Sequence, residues 1–391
     1  MEVASQSTRE PLGSGGLVAL VWAHFLNDGL ANYLPGILPF LGIALHLPLA
    51  PIAGLMSVLL FGQMLQPVSG ILADRVGGRG FALWGPILTT VGVVGVAVTR
   101  TYWMLALLFL ITGIGNTIFH PQALSITRSI TQKRQGVTMS VFLIGGEVGR
   151  ALSPLAAGWV VATMGLKFIW VMAIPLALTW PWMTRSVPKL PPQTRHGNPI
   201  KWRKHLKPGL ALIAFSGLRA LMLYGLSTFL PILWHQRGGS LVAGASLVTT
   251  FVGTGVIGTL GSGAMMDRLG KRVVLWGSSI ATLIFVSLVP FVSGIWLWPL
   301  VAILGIAVFG TFPITLLIGQ DIFSENPAMG SGVALGLANG LGALLLPLWG
   351  LLADKVGVSH AMWTAAGLTV LSFLFISGLR VPYSGHTAGE Q

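Results

Sequence analysis

Apolar runs of roughly 20 residues, the length that crosses a bilayer as a helix, recur from residue 17 to residue 379, separated by short stretches rich in charge, Pro or Gly. Inside hydrocarbon a backbone must satisfy its own hydrogen bonds, so a chain built of such runs folds as a bundle of spanning helices. Composition agrees: with 53% hydrophobic and 8% charged residues, the chain cannot cover a soluble surface with polar groups. Reading between the breaks predicts an all-α polytopic membrane protein with twelve spans, near 17–43, 51–73, 80–99, 102–127, 136–160, 167–185, 208–234, 241–265, 272–293, 297–320, 330–353 and 359–379. The first run has no small-residue cleavage site after a short core and is read as a retained span. The chain has no cysteine, which excludes disulfides, thiolate metal sites and thiol nucleophiles.

Lys and Arg number 17 on the side holding both termini, 4 on the other side, and 2 within spans, Arg150 and Arg219. By the positive-inside rule both termini are expected to be cytoplasmic, with the protein integral to the plasma (inner) membrane. The net charge of +13 is then a topology signal, and no nucleic-acid partner is expected. The same map divides the chain into a tail (1–16), a six-helix bundle (17–187), a basic linker (188–207), a second bundle (208–380) and a tail (381–391). An internal repeat supports two halves. GILADRVGGRG begins at Gly70 and GSGAMMDRLGKR ends at Arg272, and Asp74 and Asp267, Arg75 and Arg268, Gly77 and Gly270, and Arg79 and Arg272 are each offset by 193. Gly149 and Gly342, and Pro154 and Pro347, keep the same offset, so a loop and a distant helix share one register.

Twelve spans, a long middle linker and the loop GILADRVGGRG resemble the major facilitator superfamily, whose loop motif runs G-x-L-A-D-R-x-G-R-(K/R). Within it, HFLNDGLANYLPGILPFL (24–41), GIGNTIFHP (113–121) and SVFLIGGEVGRALSPLAAG (140–158) resemble the fosmidomycin-resistance branch of drug exporters. The fifth span also resembles the superfamily's antiporter motif, a glycine ladder closing on Gly-Pro, with Ser153 where the last glycine is usual. The resemblance implies that every third span (3, 6, 9 and 12) lies outermost; those four carry no ionisable residue in their interiors. It also implies that the loop around Asp74, Arg75, Arg79, Gly70 and Gly77 closes the cytoplasmic side, with the aspartate against a helix of the opposite half. Asp267 and Arg268 form the degenerate copy.

Ionisable groups within spans fall on the first, fourth, fifth and seventh, as His24 and Asp28, His120, Glu147 and Arg150, and Arg219. A charge in the membrane costs several kcal/mol unless it faces water or a partner, so these groups are expected to converge on a cavity. His24 and Asp28 are one helical turn apart and share a stripe with Asn32. Two readings stand: a proton carrier, or a polar contact locking span 1 against span 7. Glu147 and Arg150 are three apart and pair on one face, either as a structural ion pair, with Glu147 coupling protons, or with Arg150 contacting substrate. The small residues Gly145, Gly149 and Ser153 are expected to pack the two halves together. Arg219 is permanently cationic and must be neutralised by Asp28, Glu147 or an anionic ligand. His120, one turn after Asn116, completes the candidate substrate wall of Arg219, His120, Arg150, Asn32 and Asn116.

No enzyme motif, nucleotide fingerprint or cofactor signature appears. The expected function is a secondary active transporter, a proton-coupled antiporter exporting small anionic or amphipathic compounds by alternating access. Its partners are a small-molecule substrate, protons and the bilayer, and a monomer suffices. A proton-coupled importer of an organic anion is the alternative, and a receptor or scaffold without turnover a more distant one.

Overall fold

The computed structural model describes residues 14–66, 69, 72, 79–99, 101–130, 135–189, 202–324, 330 and 332–379. Among these the secondary structure is entirely helical. Nine helical stretches are long and apolar enough to cross a membrane: Gly15–Leu45, Tyr102–Ile130, Leu166–Ser186, Arg203–Gln236, Leu241–Leu269, Lys271–Leu288, Gly294–Ile322, Gly332–Val356 and Val358–Ile376. Three further helices, Leu49–Gln63, Arg79–Gly95 and Gln135–Met164, occupy the places of spans 2, 3 and 5. The twelve are numbered here as spans 1 to 12. The near face is the one at which span 1 begins and span 12 ends; the far face is the opposite one.

Several spans are broken, and the breaks follow from the residues. Span 1 consists of Ser14–Ala31 and Leu34–Leu45. Pro35 has no N–H to bond back to the Ala31 carbonyl, so the ladder is interrupted between Ala31 and Leu34, and the proline sits in the first turn of the second helix. At the break Asn32 donates both its backbone N–H, at 3.0 Å, and its side-chain amide, at 2.8 Å, to the Asp28 carbonyl. Span 10 breaks between Leu297–Phe309 and Phe312–Ile322, and span 11 opens with a π-helical turn, Gly332–Leu337. Span 7 begins at Trp202, because Arg203, Lys204 and Lys207 extend the helix beyond its apolar stretch; the reading from hydropathy began it at 208. Most of the expected linker, 190–201, and the C-terminal tail lie outside the described residues.

Burial sorts the spans. The apolar windows of spans 6, 9 and 12 are 17%, 28% and 39% buried, the three lowest values among the nine, as expected of helices facing lipid. Trp103, Trp159, Trp182, Trp296 and Trp363 stand exposed near span ends, where indoles prefer the membrane boundary. On the far side one buried apolar cluster runs through both halves, from Leu34 and Leu55 to Leu226, Phe251 and Trp349. On the near side there are two clusters, each confined to one half: Leu20, Phe119 and Met183 in the first, Leu212, Leu275 and Ile318 in the second. The halves are joined at the far side, through spans 5 and 8, 2 and 11, and 1 and 7.

The small residues of span 5 face span 1 rather than the opposite half. A Cβ on Gly145 would meet the Val21 carbonyl oxygen at 2.7 Å, and one on Gly149 would overlap the Phe25 carbonyl. Contact with the other half comes from a different stripe, where Gly158 approaches Ala245 of span 8. The expectation that Gly145 and Gly149 pack the halves together is thereby corrected: their four-residue spacing sets which face is small, not which neighbour it meets. This packing has a direct test in thermal unfolding of the purified protein. Gly149→Ala should lower stability by about 1–3 kcal/mol through overpacking, while Gly261→Ala, with open space around it, should be neutral or gain up to roughly 1 kcal/mol. Equal melting of Gly149→Ala and wild type would contradict the close approach of spans 1 and 5.

Candidate functional site

A cavity of about 260 Å³ lies between the halves. All eight ionisable or amide residues expected within it line its wall: His24, Asp28, Asn32, Asn116, His120, Glu147, Arg150 and Arg219. Asp28 is the hub. Its side chain is 1% exposed, and five side chains direct nitrogens at it. One oxygen faces His120 Nε2 at 3.0 Å, Asn116 Nδ2 at 3.0 Å and Asn27 Nδ2 at 3.4 Å. The other accepts from Arg150 Nη2 at 2.9 Å and faces His24 Nε2 at 3.4 Å. The ring of donors arises because span 4 presents Asn116 and His120 one turn apart and span 1 presents His24 and Asp28 one turn apart. The Asp28 stripe thus packs on spans 4 and 5; span 1 reaches span 7 through its second helix, Leu34–Leu45.

Arg150 serves two carboxylates at once. Its second nitrogen donates to Glu147 at 3.2 Å, so the expected Glu147–Arg150 pair is present and also tied to Asp28. Arg150 and Glu147 are about a quarter exposed, on the cavity side, whereas Asp28 sits behind them. His24 is fixed from its other side, with Nδ1 2.8 Å from the Phe142 carbonyl oxygen and its ring stacked on Phe142. A carbonyl only accepts, so Nδ1 carries hydrogen. In a neutral imidazole Nε2 then carries none and faces a carboxylate oxygen lone pair to lone pair. One more proton, on either partner, turns that contact into a hydrogen bond.

Arg219 occupies the opposite wall. It donates to Asn339 Oδ1 at 3.1 Å and lies 5.1 Å from the Phe312 ring centroid, and its buried Nε has no hydrogen-bond partner. Among the described residues no carboxylate pairs with it. Tyr224, Gln63, Gln66 and Asn339 also line the cavity and were not singled out from sequence. Asn339 carried a usable signal, as a lone amide in the apolar stretch VALGLANGLGALLL. Its exposure to the cavity follows from the π-helical turn just before it, which widens the helix there.

The ligand atoms of His24, Asp28 and His120 lie within 4.8 Å of one another, a spacing that suits a divalent cation. The Arg150 guanidinium on the same carboxylate already fills the place of a cation. The loop residues fall elsewhere. Arg79 donates to the carbonyls of Val187, at 2.8 Å, and Thr184, both at the near end of span 6 in its own half. Asp267 and Arg268 are exposed at the near end of span 8. Gly70, Asp74, Arg75 and Gly77 lie outside the described residues.

Comparison with known proteins agrees with this architecture. The family model of the Major Facilitator Superfamily matches residues 20–347. The fosmidomycin resistance protein of Escherichia coli (strain K12) is 26% identical over 384 residues, covering 95% of each chain. A putative multidrug resistance protein, MdtD, of Klebsiella pneumoniae (strain 342) is 25% identical over 262 residues, covering 63% of this chain and 55% of its own. Among solved structures, a bacterial homologue of the human lysosomal transporter Spinster, in an inward-facing and occupied conformation, superposes with a TM-score of 0.77 at 18% identity, covering 96% of this chain and 98% of that one. The nucleoside transporter NupG gives 0.76 at 16% identity, covering 94% and 99%. Two six-helix halves around a polar cavity, the family match over most of the chain and relatives that are transporters rather than enzymes lead to one conclusion: this multi-pass membrane protein belongs to the Major Facilitator Superfamily and transports a small molecule.

Proposed function

We propose that the protein is a proton-driven exporter of small anionic or amphipathic compounds, working by alternating access of its two halves. Arg219 carries the substrate assignment. Both carboxylates of the cavity are held by Arg150, which leaves Arg219 with an amide and an aromatic face. A buried guanidinium without a counter-ion is costly; a carboxylate- or phosphate-type group on the substrate supplies one, in the bidentate geometry that Arg favours. The remaining wall, with Met56, Leu60, Leu223, Val252 and Phe309, suits an apolar body. Proton coupling is supported by the Asp28 cluster, where His24 Nε2 and an Asp28 oxygen lie 3.4 Å apart and can share one proton.

Likeness to a resistance protein over 95% of the chain supports export. In this scheme the apolar body of an entering substrate displaces water from around His120, which is partly exposed to the cavity. Substrate and proton then compete for the one cavity, so the proton leaves as substrate arrives. A second reading, proton-coupled uptake of an organic anion, is favoured by the charge count: two carboxylates balance two guanidiniums, so a monoanion and a proton together keep the cavity neutral. The near face is cytoplasmic in both readings, by the excess of Lys and Arg there, and the chain is proposed to work as a monomer in the inner membrane. The loop at Asp74 is proposed to gate the near face: Asp74→Asn should slow transport and leave substrate binding intact.

Arg219 and Asp28 separate by their variants. Without ligand, Arg219→Met should melt at or above the wild-type temperature, because an unpaired buried charge is removed, yet lose affinity for anionic compounds; Arg219→Lys should fall between. Wild-type affinity in Arg219→Met, read by thermal shift with an anionic transported compound, would remove Arg219 from the site. Asp28→Asn should abolish gradient-driven transport and retain equilibrium exchange, because an amide keeps shape but not the titration. In right-side-out vesicles an inward proton gradient should deplete internal substrate through the wild type. Accumulation would establish the uptake reading instead, and undiminished concentrative transport by Asp28→Asn would dismiss Asp28 as carrier.

A further inference from the structure

The far ends of spans 2 and 11 meet in a contact that the cavity does not explain. Asp354, at the end of span 11, accepts the backbone N–H groups of Leu49 and Ala50, at the start of span 2, at 2.8 and 3.0 Å, one on each carboxylate oxygen. Span 2 opens Pro48-Leu49-Ala50-Pro51, and proline has no N–H. Leu49 and Ala50 are therefore the two donors its first turn can offer, and one side chain from the opposite half takes both. The carboxylate also faces the positive end of the helix dipole. One turn earlier Gly350 lets the helices touch: a Cβ there would meet Ala50 Cα at 2.6 Å and the Leu49 carbonyl oxygen at 2.8 Å.

The sequence around this contact repeats the loop motif. Residues 350–357 read GLLADKVG, against GILADRVG at 70–77. Gly350 matches Gly70, Asp354 matches Asp74 and Gly357 matches Gly77, all offset by 280, with Lys355 in the place of Arg75. Gly357 takes φ +81, which a side chain disfavours, so the turn after the helix uses its glycine. The first copy follows span 2 in the sequence, mostly outside the described residues, and the second ends span 11 at the far face. Inverted repeats of this kind put the same device on both sides of a membrane.

We propose that Asp354 is the latch of the far-side gate: its carboxylate, clamped on the two free N–H groups of span 2, holds the halves closed at the far face and releases each time the cavity opens there. The contact is exposed to solvent, which suits a bond that breaks and reforms. Below it the halves stay zipped through the Ser57 hydroxyl, 2.7 Å from the Ala343 carbonyl, and then through Met64 against Gly340. This assignment rests on alternating access, and its test distinguishes the two.

Because the chain has no cysteine, a far-face pair at exposed Thr101 and Ser293, Thr101→Cys with Ser293→Cys, takes spin labels cleanly. Distances by pulsed electron resonance in nanodiscs report closed and open populations as pH is varied. Asp354→Ala should reduce the closed-to-open ratio on the order of tenfold, the size expected for a charge-assisted pair of hydrogen bonds. Asp354→Asn, which keeps one acceptor, should fall between. Leu49→Pro removes one of the two donors at a first-turn position that tolerates proline; it should shift the ratio the same way and add little to Asp354→Ala, as coupled partners do. If the wild type alternates with pH and these variants leave the ratio unchanged, the latch is overturned and alternating access stands. One fixed distance at every pH in the wild type would overturn both.

Discussion

One guanidinium shared by two carboxylates at the cavity wall constrains most of this structure. Arg150 joins Asp28 and Glu147, so one positive charge is shared by the two negative charges of spans 1 and 5 inside one half. The two histidines and two asparagines around Asp28 then settle its lone pairs with groups from spans 1 and 4. Ion pairs in low dielectric are worth keeping only when their members find partners, and here the first half supplies the partners for its own charges. The consequence falls on the second half, whose lone cavity cation among the described residues, Arg219, has no carboxylate left to meet. Asymmetry between the halves is thus built into the chemistry: one wall carries the carboxylate and histidine cluster, and the other, among the described residues, a guanidinium without a carboxylate partner.

Backbone geometry cooperates with that division. Interruptions at Pro35, at the break before Pro313 and at the π-helical turn of span 11 occur beside the cavity, where freed backbone groups can be satisfied. Elsewhere the spans run close, as where Gly149 sits on Phe25. The apolar core is continuous across both halves at the far side and divided at the near side. Opening the far side therefore requires parting buried apolar contact as well as the Asp354 clamp, and both must be offset by what happens in the cavity.

Much of the site was legible because charge inside a span is expensive: His24, Asp28, His120, Glu147, Arg150 and Arg219 stand out against apolar runs, and all six reach one cavity. Periodicity also placed His24 with Asp28 and Glu147 with Arg150. What periodicity does not encode is which helix a face meets. The Asp28 stripe meets spans 4 and 5, and the glycine face of span 5 meets span 1, because tilt and bundle order choose the neighbour. Asp354 was passed over for a related reason, since at a span end a carboxylate looks solvated unless the repeat of its motif is noticed. Tyr224 lay hidden among polar groups whose exposure depends on the rotation of span 7.

The central claim is that anion binding at Arg219 and proton release from the Asp28 cluster are linked within one cavity. Titration calorimetry of an anionic transported compound, repeated in buffers of different ionisation enthalpy, counts the protons exchanged on binding. Near neutral pH the wild type is expected to release on the order of one proton per ligand, and Asp28→Asn none. Binding to the wild type without proton release, or with proton uptake, would contradict the account.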